Sequence, residues 1–179
     1  MNEQKTFRSQ QPNVELALAQ LAENRHPIGL VLDQINDVRN LGFMLRLADA
    51  ARLEKVWLYK MDDFPEKKLK RFSRTAHQYV PMEHLSSIAD LQSLQQTHQL
   101  LALEITEASV AYTDFQPQFP LLLLAGSEQR GISQEVLSLV DGTVHIPMYG
   151  LNLSMNVAMA TGIVVYHFLQ FIHYKVNVL

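Results

Sequence analysis

Cysteine is absent from the 179 residues, which excludes a disulfide framework, thiolate metal ligation and a cysteine nucleophile. Charge is sparse as well. Asp, Glu, Lys and Arg together make up 18% of the chain and leave a formal balance of −3. Disorder needs low hydrophobicity with high net charge, and a chain that is 47% apolar meets neither condition. A membrane-spanning helix needs about 20 apolar residues in succession, whereas the longest purely aliphatic run here is Leu121 to Ala125. The opening residues, MNEQKTFRSQQPN, are polar and contain no apolar h-region, so no signal peptide is expected and the expected location is cytoplasmic.

Several catalytic signatures are missing too. There is no G-x-G-x-x-G fingerprint, no Walker sequence and no G-x-S-x-G elbow. The seven histidines are scattered without an HExxH pair. His167 and His173 share a predicted helix, but their spacing puts them on different faces, so no metal site is expected.

What is present suits one domain with one substantial core: a polar tail over 1–12 and a domain over 13–179. Helical spacing predicts a short helix over 14–21 capped by Asn13, a helix over 41–53 with Asn40 as N-cap, and further helices over 85–94, 133–139 and 155–174. Compact apolar runs predict strands at 28–32, 56–59, 79–80, 100–105, 121–124 and 144–146. Residues 33–40 read as a polar turn, 61–65 as another, and a loop holding Pro117 and Pro120 separates two of the strands. The alternation implies an α/β fold with a mostly parallel sheet and helices on both faces. The C-terminal helix is apolar around much of its circumference, leaving one face for the sheet and another for a second subunit.

Three segments carry candidate chemistry. In NLGFMLR, Gly42 permits close backbone approach near a helix start, and Arg46 on an apolar helix requires a partner. A structural ion pair and a functional arginine both fit. In LLLLAGSEQRGIS, an apolar strand runs into Gly126, Glu128 and Gly131 ahead of a helix, the default ligand position in α/β proteins. In IPMYGLNLSMNVAMA, the residues Gly150, Asn152, Ser154 and Asn156 crowd one loop. Asn152 or Ser154 would serve as a cap, and the surplus polarity suits a ligand. Finally, KKLKRFSR holds Lys67, Lys68, Lys70, Arg71 and Arg74 without an acid, which fits either a phosphate-facing patch or a solvated helix surface.

In order and spacing, the three segments resemble the SpoU (TrmH-like) branch of the SPOUT RNA methyltransferases, over about residues 28–172. Asn40, Gly42 and Arg46 match its first motif, and Gly126, Glu128 and Gly131 its second. Ile146, Pro147 and Met148, followed by Ser154, Met155, Asn156 and Val157, match its third. The resemblance implies a C-terminal deep trefoil knot, which connection rules alone would argue against, and a homodimer with its site near the interface. It implies S-adenosylmethionine held by Leu103, Glu104, Gly126, Ile146, Met148, Leu153, Ser154 and Met155, largely through backbone groups.

The implied reaction is methylation of a ribose 2′-hydroxyl in tRNA or rRNA. Arg46 would be the principal catalytic residue, aided by Asn40, Glu128, Ser154 and Asn156. A guanidinium with a reference pKa above about 12 is a poor base, so phosphate clamping or alkoxide stabilisation suits Arg46 better. Glu128 would fix Arg46 or cap a helix. Arg46 and the five basic residues of 67–74 would meet RNA phosphates. Where the family carries a second serine in its third motif, this chain has Ala158. That departure keeps a silent RNA-binding or assembly role open, alongside base-directed methylation, although Arg46 with the Ser154–Asn156 pattern favours ribose chemistry.

Overall fold

The computed structural model describes residues 23–172. The helix expected over 14–21 and the tail over 1–12 lie outside them, as do positions 173 and 174 of the helix expected over 155–174, which here ends at Leu169.

Parallel strands buried on both faces read as continuous apolar runs, and the two most central strands do. β1 (Ile28–Asp33) and β6 (Leu121–Gly126) are buried at every position. Around them lie β2 (Val56–Tyr59), β3 (Met82–Leu85), β4 (Gln99–Leu103), β5 (Val110–Ala111) and β7 (Gly142–His145). The seven-stranded sheet has the order β3-β2-β1-β6-β4-β7-β5, and every pairing is parallel. Register aligns the strand ends: Asp33 lies opposite Gly126, and Leu103 opposite both Ala125 and Val144. Loops leaving β1, β6, β4 and β7 therefore start side by side.

Successive side chains point to opposite faces, so the strands feed two cores. Leu30, Leu32, Leu121, Leu123 and Ala125 join one, with α1 (Val38–Ala50), α2 (Glu66–Ser73) and α6 (Val157–Leu169). Val31, Leu100, Leu122 and Leu124 join the other, with α4 (Ile88–Gln95) and α5 (Gln134–Leu137). Helices thus cover both faces, as the alternation implied.

Several boundaries differ from the sequence expectation. α1 starts before Asn40, because Asp37 is its N-cap and accepts from the Arg39 backbone N–H at 2.8 Å. Asn40 is buried inside the helix, which ends at Ala50 rather than 53. Residues 76–79 form a short helix, α3 (Ala76–Tyr79), not a strand, and β3 follows it. α4 begins at Ile88, where Asp90 Oδ2 accepts the N–H groups of Ser86 and Ser87, each at 2.9 Å. The loop before Pro117 contains the short edge strand β5. The last helix starts at Val157, and its cap is Asn156, neither Asn152 nor Ser154.

Gly42 sets the packing of α1 on α2. A Cβ there would lie 2.5 Å from Phe72 Cβ and 2.9 Å from the Ser73 nitrogen. The glycine lets the basic helix lie directly against α1. On α1 itself, Leu41, Met44, Leu45 and Ala48 face inward, while Arg39, Phe43, Arg46 and Ala50 form the outward stripe at helical spacing.

Candidate active site

The loops after β4, β6 and β7, with the first turn of α6, enclose a cleft of about 490 Å³ at the C-terminal end of the sheet. Open α/β sheets bind ligands at this end. The expected cofactor residues Leu103, Glu104, Gly126, Ile146, Met148, Ser154 and Met155 all line it. Leu153 does not: it is 85% exposed and turned to solvent, an outcome that loop sequence alone could not foretell.

Three distant segments are tied together beside the cleft, which Glu128 and Asn156 line and the buried Asn40 does not. Asn156 Nδ2 donates to Asn40 Oδ1 at 2.9 Å, and Asn40 Nδ2 donates to Glu128 Oε1 at 2.5 Å. The same Asn156 accepts, through Oδ1, the N–H groups of Ala158 and Met159. One amide thereby caps α6 and fixes the orientation of the next, which in turn holds the carboxylate. Glu128 consequently neither pairs with Arg46 nor caps a helix, as had been expected of it.

The loop 127–131 is closed by its own backbone: Ser127 N–H donates to Gly131 O (3.1 Å) and Gly131 N–H to Ser127 O (2.9 Å). Gly131 has φ +66°, and a Cβ there would collide with Glu104 Oε2. That carboxylate is held in place by the N–H groups of Ile105 (2.9 Å, on Oε1) and Ile132 (3.0 Å, on Oε2). The buried Asp33 at the end of β1 accepts the Ser133 N–H at 2.7 Å and so anchors the start of α5.

Arg46 stands apart from this arrangement. It is exposed on the outward stripe of α1, does not line the cleft, and has no ionic or hydrogen-bonding partner among the described residues. Lys67, Lys68, Lys70, Arg71 and Arg74 are likewise exposed, and among the described residues none pairs with a carboxylate. Ala158 packs toward the core rather than the cleft, so the missing hydroxyl alters no cleft wall.

Cleft residues that sequence reasoning missed fall into two kinds. Ser127 and Gln129 sit between motif positions, Val157 and Ala160 belong to the run of the third motif, and all four were within reach. Ile105 lies just past β4 and His145 is the last residue of β7, and neither carried a local signal; the His145 ring is placed by a 2.9 Å contact between Nδ1 and Ser109 Oγ.

An all-parallel sheet with its cleft at the strand ends defines an α/β ligand-binding fold, and comparison with known proteins narrows the class. The SpoU rRNA Methylase family model matches residues 27–166, and the chain belongs to that family. It is 26% identical over 136 residues to the tRNA (guanosine(18)-2′-O)-methyltransferase of Aquifex aeolicus, covering 75% of this chain and 64% of that protein. It is 31% identical over 154 residues to a 23S rRNA (guanosine-2′-O-)-methyltransferase of Haemophilus influenzae, covering 84% and 62%. The first relatives found are thus spanned over less than two thirds of their own length. Among solved structures, the AdoMet-bound rRNA methyltransferase of Sinorhizobium meliloti aligns with a TM-score of 0.76 at 26% identity, covering 88% of this chain and 61% of that one. The A. aeolicus TrmH/SpoU tRNA modifying enzyme aligns with a TM-score of 0.72 at 25% identity, covering 85% and 80%.

Proposed function

We propose that this protein transfers a methyl group from S-adenosylmethionine to a ribose 2′-hydroxyl of tRNA or rRNA. The observation that carries the reading is the Asn156–Asn40–Glu128 chain of hydrogen bonds, in which buried Asn40 of the first motif links Glu128 and Asn156, both of which line the cleft.

The cleft fits the cofactor. Its volume of about 490 Å³ lies within the usual small-ligand range of about 300–1,000 Å³. Its walls carry the carboxylates of Glu104 and Glu128 and, among the described residues, no lysine or arginine, which suits a ligand bearing a sulfonium and an ammonium. Leu103, Ile146, Met148 and Met155 supply apolar surface, and loop backbone supplies hydrogen-bonding groups. When bound, S-adenosylmethionine supplies a methyl group on positively charged sulfur, open to in-line attack by oxygen.

The chain's own residues then position the acceptor. Glu128 Oε1 is held by Asn40 and its Oε2 has no partner among the described residues, so a ribose hydroxyl can donate to it. As the carbon–oxygen bond forms and the carbon–sulfur bond breaks, the hydroxyl proton leaves toward that acceptor. Much of the acceleration comes from holding oxygen and methyl in line. Ser154, exposed at the cleft rim, is placed to bind either partner. Arg46 is assigned to clamping an RNA phosphate and stabilising the developing alkoxide, and Lys67, Lys68, Lys70, Arg71 and Arg74 to RNA phosphates, since each is exposed and without a carboxylate partner among the described residues.

A homodimer completes this reading. Phe43, beside Arg46 on the outward stripe of α1, is exposed together with Met159, Ile163 and Tyr166 on α6. Exposed apolar side chains on two helices that pack together suit an association face, and such a face would bring Arg46 to the interface. The expected trefoil knot belongs to the same reading, supported by α6 returning from β7 to pack against α1 and β6. No helix among the described residues is long and apolar enough to cross a membrane, in keeping with a proposed site of action in the cytoplasm.

The test is methyl transfer into RNA from cells lacking the gene. Arg46→Ala is expected to lower turnover at least about 100-fold, as for loss of a charge-stabilising group, and to leave the dissociation constant of S-adenosylmethionine within twofold. Equal loss of cofactor binding would contradict the role given to Arg46.

A further inference from the structure

A second cleft, of about 400 Å³, adjoins the first and shares Glu128 and Gln129 with it. Its other walls are Asn36, Asp37 and Val38 at the start of α1, and Phe64, Pro65 and Lys68 at the start of α2. Its place in the sheet is informative. From β1 the chain proceeds outward to β2 and β3; from β6 it proceeds the other way, to β7. The ends of β1 and β6, at Asp33 and Gly126, therefore flank the point where the winding reverses, which is the favoured ligand crevice of open α/β sheets. The cofactor cleft lies to one side of this point, over β6, β4 and β7. The second cleft lies over β1, and Glu128 stands between them.

The chemistry of the second cleft differs from that of the first. The Asp37 carboxylate is taken up by Arg39, whose Nη2 lies 2.6 Å away, so it presents little free negative charge. Lys68 is exposed and unpaired among the described residues, and of the basic residues on α2 it is the one that reaches the cleft. Phe64 gives an aromatic surface anchored by the core, and the amides of Asn36 and Gln129 have no side-chain partner among the described residues. A cation, an aromatic ring and free amides are the groups that hold an unpaired nucleotide, through phosphate, base face and base edge in turn.

We propose that the second cleft is the acceptor subsite. An unpaired nucleotide of the RNA enters along α2, sets its phosphate at Lys68 and its base against Phe64, and presents its 2′-hydroxyl across Glu128 to the cofactor cleft. The assignment rests on the ribose-methylation reading above. Asn36 and Gln129 then read the base edge, and the basic helix is the track by which the strand arrives.

Kinetics of methyl transfer from radiolabelled S-adenosylmethionine to bulk tRNA and rRNA from gene-deleted cells test it. Lys68→Ala, on an exposed helix face, should raise the KM for RNA several-fold and reduce the slope of log affinity against log salt by about 0.7, the amount for one phosphate contact on a single strand. Phe64→Ala should raise that KM about tenfold, the scale of one lost base stack, and Phe64→Tyr should restore it. The KM for S-adenosylmethionine should stay within twofold in every variant. An unaltered RNA KM and salt slope in Lys68→Ala overturns the subsite, whether or not Phe64→Ala folds. So does a Phe64→Tyr chain no better than Phe64→Ala. Failure of the unaltered chain to methylate any ribose overturns the underlying function, and the subsite with it.

Discussion

Asn156 has two separable duties, and a pair of substitutions can divide them. Its Oδ1 caps α6, and its Nδ2 orients Asn40. Asn156→Ala removes both, and is expected to cost about 1 kcal/mol of stability together with most of the turnover. Asn156→Ser keeps a capping oxygen but is too short to reach Asn40. Near-native unfolding with turnover down about tenfold or more is the expected outcome, measured by thermal melts and initial rates. Native turnover in the serine variant would show that the relay is dispensable. Gly131→Ala is the complementary case: φ +66° and the collision with Glu104 should destabilise the fold by about 1–3 kcal/mol and weaken cofactor binding. At this scale the resemblance to a known family singled out Asn40, Glu128 and Asn156, which hydrogen bonds join in the fold. Their mutual bonds were not legible, because Asn40 and Glu128 are 88 positions apart and no local pattern records such a pairing. Leu153 fared worse for a related reason, since which way a loop side chain turns is decided by the fold around it.

Helix α1 shows why elements were easier to find than to delimit. A polar residue before an apolar run reads as a cap, and Asn40 fits that description. The helix begins earlier, at Val38 behind the Asp37 cap, and Asn40 lies within it and makes a long-range bond inside the site. The strands β1 and β6 were plain because burial on both faces leaves a continuous apolar run, whereas β5, with two residues at the sheet edge, has no such run. The Asp37 cap is testable. Hydrogen bonding from the Arg39 side chain holds its carboxyl below the ordinary carboxylate range, with the Arg39 backbone N–H and charge adding to this and burial opposing. A folded-state pKa below the unfolded one gives stabilisation that is complete above the unfolded value and is lost as pH falls through the folded one. Asp37→Ala should therefore cost about 1 kcal/mol near neutral pH, with the deficit shrinking in acid. The exposed ion pair with Arg39 adds little beyond the cap. A deficit that persists unchanged at a pH below the folded-state value would contradict that origin.

For the molecule as a whole, the central proposal links the cofactor cleft to an exposed arginine that does not line it within one chain. The proposed dimer supplies the missing proximity. Ile163→Asp on the outward face of α6 should give a monomer by sedimentation, without unfolding, and should lower turnover along with it; a dimer unaffected by that charge would remove this face from consideration. The α/β class and its parallel sheet could be read from strand–helix alternation, but not the winding order that sets two clefts on either side of Glu128, since strand order depends on contacts between distant segments. The most direct measurement is the chemical position of the transferred methyl group. The protein is incubated with S-adenosylmethionine and RNA from gene-deleted cells, and the product is digested in alkali. A labelled dinucleotide resistant to alkaline cleavage, with the methyl on the ribose oxygen, is the expected result. Label recovered only on a base, or cofactor bound with no label transferred to any RNA, would contradict it.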